Sequence, residues 1–211
     1  KKPNSEGLKK GLANLDKHIK NMQSFGQTVI VAFNHYAGDV EEEQNIVREY
    51  CESIGVGFAI NDAYAKGGEG AADLARLVVD TIEQKPSQPL NLVYDDEDTI
   101  ETKIEKVCKN IYGAASISFA APAKKKLQMI RDLGYEKFPI CIAKTQFSFS
   151  TDAKQYCVAS GFDVNVRDIV INAGAEMIVV IAGNIMRMPG LPKVPAAMNM
   201  DIVNGQIEGL S

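Results

Sequence analysis

Two short runs hold most of the side chains with chemical potential: Asn34-His35-Tyr36-Ala37 and Asn61-Asp62-Ala63-Tyr64. Each follows a strand-like apolar run, and in a parallel α/β sheet ligands bind at the carboxyl ends of the strands. If the strands are neighbours, Tyr36 and Tyr64 leave the same edge and could clamp a flat heterocycle between two aromatic faces. The alternative is two loop tyrosines packing on the protein itself. Next comes Lys66-Gly67-Gly68-Glu69-Gly70, ahead of a helical pattern. Glycines there let the backbone approach a ligand, and helix-start N–H groups favour anions. The lysine precedes the glycines and no G-K-[ST] follows, so this is not a phosphate-gripping Walker loop, and an ordinary glycine turn fits as well.

Lys144-Thr145-Gln146-Phe147-Ser148 follows a third apolar run. Its ammonium, hydroxyl and amide groups could meet a phosphate or a base, or could form a solvated loop. Asn34 after a strand resembles the start of the guanine-reading N-K-x-D, but Ala37 stands where the aspartate is needed. Neither His18 nor His35 has a carboxylate or metal-ligand partner at useful spacing; His18 lies beside a helix stripe where solvation is expected, and His35 could be a bystander in its loop. No nucleophile elbow, zinc-protease helix or calcium loop is present.

The elements that must position these groups follow from periodicity. Leu8, Leu12, Leu15, Ile19 and Met22 predict a helix over residues 5 to 23. Residues 28 to 33 predict a strand buried on both faces. Asp39 with Glu42 three places on suggests a capping box, and Val47, Tyr50, Cys51 and Ile54 a buried helix face ended by Gly55. The unit then repeats as a strand over 56 to 60, a loop over 61 to 68, and a helix marked by Leu74, Leu77, Val78 and Ile82. Strand–loop–helix twice over predicts a partial parallel sheet with helix crossovers, the remnant of a P-loop-like α/β domain.

Pro86 to Pro89 marks a boundary, so residues 1–90 and 91–211 are expected to form separate regions, the second a mixed-sheet α+β region. There, Ile100 to Ile111 predicts a helix, 116 to 119 a strand, and Pro122 to Leu133 a helix. A strand is expected at 139 to 143. Residues 164–171 and 176–182 are expected to pair antiparallel across a short link. The run 188–195 is too rich in proline for helix or central strand. Asn204-Gly205 suggests a closing hairpin.

Bulk properties narrow the function. The 211 residues carry a formal charge of −4, with 45% apolar and 24% charged residues. This gives no electrostatic pull toward nucleic acid or an anionic membrane, and no run is long enough for a membrane span. Cys51, Cys108, Cys141 and Cys157 show no metal-ligand spacing and are expected to be core thiols in a reducing compartment. The start at Lys1-Lys2, without methionine, suggests a piece of a longer chain.

Taken together, many segments resemble formate–tetrahydrofolate ligases. They are Gly11-Leu-Ala-Asn-Leu-Asp-Lys-His18, Val31-Ala-Phe-Asn34, Ala65-Lys-Gly-Gly-Glu-Gly70, Lys103-Ile-Glu-Lys106, Ile111-Tyr-Gly-Ala114 and Pro139-Ile-Cys-Ile-Ala-Lys-Thr-Gln146. Val166-Arg-Asp168, Ala173-Gly-Ala175 and residues 188 to 197 complete the set. The resemblance implies a cytoplasmic, homotetrameric enzyme of one-carbon metabolism. Its substrates would be formate, ATP and tetrahydrofolate, with Mg²⁺ and a monovalent cation such as K⁺ or NH4⁺. ATP would phosphorylate formate, and folate N10 would attack the formyl phosphate to give 10-formyltetrahydrofolate. The family's P-loop and the basic residues that hold formyl phosphate have no counterpart here.

What this chain would retain is the pterin side. The family stacks the ring between a Phe followed by Pro and a Trp before the glycine segment; Tyr36-Ala37 and Tyr64 hold those places. Lys66, Gly67 and Gly68 would shape the adjoining loop, and Lys144 and Gln146 are candidates for touching nucleotide or folate. None would act as acid, base or nucleophile. The alternative is a non-catalytic assembly module or folate-binding remnant.

Overall fold

The computed structural model describes residues 3–185 and 193–209. Helix α1 (Ser5–Ser24) is opened by Asn4, whose side chain accepts from the Gly7 N–H at 2.9 Å, satisfying one of the free donors of the first turn. Its apolar stripe of Leu8, Leu12, Leu15 and Ile19 faces a core with Val47, Cys51 and Val56. Strand β1 (Ile30–Asn34), helix α2 (Glu41–Ser53) and strand β2 (Gly57–Asn61) follow. The two strands pair in parallel from Ile30↔Gly57 to Asn34↔Asn61, as a strand–helix–strand crossover requires.

Four local expectations change. The β1 strand is not buried on both faces, since Ala32 and Asn34 are exposed; among the described residues the sheet has only two strands. Asp39 makes no capping box: Val40 is the cap residue without a side-chain bond, and Asp39 Oδ2 instead accepts from the Tyr36 N–H at 2.9 Å. On α2, Tyr50 is half-buried and Ile54 exposed, so its inward face is narrower than the apolar spacing suggests. The stretch expected as a loop holds a short helix α3 (Ala63–Lys66) and a 3₁₀ turn (Gly67–Ala71) before helix α4 (Ala72–Gln84). On α4 Leu74 and Leu77 are half-buried, whereas Val78 and Ile82 face outward.

A second and larger core surrounds a four-stranded mixed sheet of order β3-β5-β6-β4. Helix α5 (Ile100–Val107) runs into a wide π turn (Cys108–Tyr112) that ends on Gly113 in the left-handed conformation. Strand β3 (Ser116–Phe119), helix α6 (Ala121–Asp132) with Pro122 in its first turn, and strand β4 (Ile140–Ala143) come next. Strands β5 (Asp163–Asn172) and β6 (Met177–Ala182) pair antiparallel at the sheet centre; β3 and β4 add in parallel on the outside. Ile100, Ile104, Ile130, Val164, Ile169, Ile178 and Val180 fill the interface between helices and sheet. Lys103 is fully buried among them, donating to the carbonyls of Glu136 at 2.9 Å and Phe138 at 3.2 Å.

Strands β7 (Asp201–Val203) and β8 (Gln206–Glu208) form the expected hairpin. Both turn residues, Asn204 and Gly205, have positive φ, the requirement of a type I′ turn. The proline-rich run falls largely on residues 186–192, outside the described residues. Cys51 and Cys108 are core thiols as expected; Cys141 and Cys157 are exposed. On β4, Ile140 and Ile142 pack against the core, and Cys141 between them points to the opposite face of the sheet. No helix among the described residues is long and apolar enough to cross a membrane.

Candidate functional site

Parallel pairing sends the chain out of β1 and β2 at the same end of the sheet. Asn34 and Asn61 are the last register partners, and Asn61 Nδ2 donates to Asn34 Oδ1 at 2.9 Å. The ladder continues for one more bond, from the His35 N–H to the Asn61 carbonyl at 3.0 Å. Tyr36 therefore stands two residues beyond one strand end and Tyr64 three residues beyond the other. Tyr36 is 67% exposed and Tyr64 is 98% exposed. Tyr64 therefore contributes almost nothing to a core, and Tyr36 leaves most of its surface uncovered. Ala37 is exposed beside Tyr36.

Beneath these rings Asp62 organises the edge. Its carboxylate is largely buried and meets two partners: the Lys66 ammonium, Nζ at 2.8 Å from Oδ2, and the His35 ring, Nδ1 at 3.2 Å from Oδ1. Its backbone N–H donates to the Gly70 carbonyl at 3.0 Å, and its carbonyl accepts from Ala65 and Lys66. Asp62 thus ties the β1 loop, the short helix and the glycine turn into one piece. The Lys66 ammonium, with a smaller share from His35, holds the Asp62 carboxyl below its ordinary range against the opposing effect of burial. The same pair raises Lys66. Lys66 therefore serves the loop's frame, while Gly67 and Gly68 turn the backbone at an exposed surface. Gly67 has φ +59°, a conformation that favours glycine. Gly70 is required for another reason: a Cβ there would lie 2.3 Å from the Asp62 carbonyl oxygen.

Contrary to the expectation from sequence, His35 does have a carboxylate partner, Asp62. The partner lies 27 residues away, brought in by strand register. Aligning Asn34 with Asn61 in the two strand-end runs is the signal that would have found it.

Lys144 and Gln146 stand elsewhere, after β4. The Lys144 ammonium donates to the carbonyls of Thr145, at 3.0 Å, and Ser148, and lies 4.8 Å above the Tyr112 ring. It clamps its own loop, and Gln146 lines the adjoining cleft. His18 is exposed as expected, with its ring 4.9 Å from that of Phe149. No group of three or more metal-ligating side chains occurs among the described residues.

Fold and edge together define an α/β protein in which two aromatic loops leave one strand end above a shared carboxylate. A sequence profile of the formate–tetrahydrofolate ligase family matches residues 1–211, and the chain belongs to that family. It is 63% identical to a formate–tetrahydrofolate ligase of Phocaeicola vulgatus and 62% identical to one of Parabacteroides distasonis, in each case over the whole chain. A formate–tetrahydrofolate ligase of Petrotoga mobilis is 44% identical over 99% of the chain. The chain spans 38% of the length of each of these relatives.

Proposed function

We propose that this chain supplies the pterin-binding side of an ATP-dependent ligase that joins formate to tetrahydrofolate. The observation that carries the reading is the Asn34–Asn61 register, with exposed Tyr36 and Tyr64 in the loops that leave it. In this reading the two rings sandwich the pterin, Ala37 leaves room beside Tyr36, and the Lys66-Gly67-Gly68 turn shapes the rim. The contribution is positional. Holding folate N10 beside the formyl carbon of formyl phosphate turns an encounter into an oriented attack, which is itself a large catalytic effect. The Asp62 frame serves that role by keeping both aromatic loops in fixed relation.

ATP, Mg²⁺ and a monovalent cation belong to the same proposal as requirements of the longer protein. Among the described residues no three His, Cys, Asp or Glu side chains come together, and no step here runs through a cation. Homo-oligomeric assembly and a cytoplasmic setting are likewise part of the proposal.

The test is a tetrahydrofolate titration of the chain and of its Tyr36→Ala, Tyr64→Ala double variant. Loss of two stacking faces should weaken binding by about tenfold or more, with unchanged thermal unfolding. Equal affinity in the two proteins would remove the sandwich. The 211 residues contain no Walker loop, and the chain alone should show no formate-dependent ATP hydrolysis.

A further inference from the structure

A second cleft, of about 310 Å³, opens between α1 and the loop after β4. Asn14 and His18 line it from α1, Tyr112 from the π turn, and Lys144, Gln146 and Phe149 from the loop. No aspartate or glutamate is among its lining residues. Lys144 is half-buried, and its partners are two carbonyls and an aromatic face, none of which carries a full negative charge. A cation so placed lacks a counter-ion, and desolvation disfavours its charge. The third ammonium proton has no carbonyl partner. The side-chain amides of Asn14 and Gln146 line the same cleft, together with the Tyr112 phenol, whose titration burial pushes up to about 12.

We propose that this cleft is a binding site for a phosphate group, seated on Lys144 and addressed by donors from α1 and the loop. An ammonium beside neutral donors recognises an oxyanion through charge-assisted hydrogen bonds. Because the donors come from two separate elements, a tetrahedral acceptor can meet them where a planar carboxylate addresses only directions near its own plane. The phosphate could be free or carried by a nucleotide. The proposal is independent of the pterin reading, because none of its residues belongs to the Asn34–Asn61 edge.

The experiment is nitrogen-resolved NMR of the 211-residue chain titrated with inorganic phosphate, with ADP and formate as parallel arms at matched ionic strength. Phosphate should produce saturable shifts in the Asn14 and Gln146 side-chain amides and in the backbone of residues 145–149. Lys144→Met should weaken that response by about tenfold or more. Gln146→Ala, which leaves the Lys144 clamp intact, should weaken it by a smaller factor. Tyr36→Ala with Tyr64→Ala should leave it unchanged. ADP acting on the same signals more strongly than phosphate would support a nucleotide as the carrier; an effect of inorganic phosphate alone would support the free anion. No saturable shift with either, a formate response equal to phosphate, or a phosphate response that survives both cleft substitutions would overturn the site.

Discussion

Asn61 Nδ2 donates to Asn34 Oδ1 across the final rung of the β1–β2 ladder. Both side chains sit where the strands end, so the bond joins the two loop origins just below the tyrosines. The next residue on each strand repeats the link through a different chemistry, as His35 faces the Asp62 carboxylate. Two successive cross-strand contacts make the separation of the aromatic loops a property of the sheet.

The Asp62 carboxylate should make stability depend on acid in a defined direction. Its folded pKa is depressed, first by Lys66 and then by His35. Its stabilisation is therefore complete above the unfolded value of about 3.9 and is lost as pH falls through the lower folded value. Asp62→Asn should lower the urea midpoint at neutral pH and flatten the acid limb below about pH 4. Superimposable acid limbs for the two proteins would show that the pair does not couple folding to protonation.

Gly70 should resist substitution where Gly68 does not. An alanine Cβ at Gly70 would meet the Asp62 carbonyl oxygen at 2.3 Å and its carbon at 2.6 Å, both backbone atoms, whereas nothing lies within 4 Å of one at Gly68. Gly70→Ala is expected to destabilise by about 1–3 kcal/mol and to weaken tetrahydrofolate binding by displacing the α3 turn. Gly68→Ala should be close to neutral in both assays. Equal unfolding midpoints for the two variants would contradict the assignment.

Lys103 should prove structural despite its charge. It is fully buried and caps two carbonyls, with its ammonium 5.6 Å from the centre of the Tyr94 ring. Lys103→Met keeps most of the volume but leaves the Glu136 and Phe138 carbonyls without their donor, a loss of about 1–3 kcal/mol. Denaturant unfolding reads it directly. A raised midpoint would mean that removing the desolvated charge outweighs the lost hydrogen bonds.

Legibility in the sequence followed how local each determinant is. The α1 stripe, the Pro122 helix start, the β5–β6 pairing and the Asn204-Gly205 turn are set by neighbours a few residues apart, and each was readable. The shared strand edge was readable too, because the strand–loop–helix repeat implies parallel neighbours. The Asp62 frame was not, since His35 and Asp62 meet only through register. Asp39 illustrates competition: its carboxylate could serve the helix start or the preceding turn, and it takes the Tyr36 N–H. Val78 and Ile82 have the spacing of a buried face, but α4 turns them outward. Periodicity reports which residues share a helix face and says nothing of whether another element covers it.

The second sheet carries its antiparallel pair at the centre, joined by only the four residues from Ala173 to Glu176. Such a tight connection makes little demand on chain entropy, whereas β1 and β2 can meet only after the intervening α2 has been brought into place. The β5–β6 hairpin should therefore assemble early, templating β4 and β3 along its two flanks, with the tyrosine-bearing edge consolidating afterwards. Pulse-labelled amide exchange during refolding would see protection at Ile169 and Val180 before Val31 and Ala59; the reverse sequence would place the nucleus in the smaller sheet.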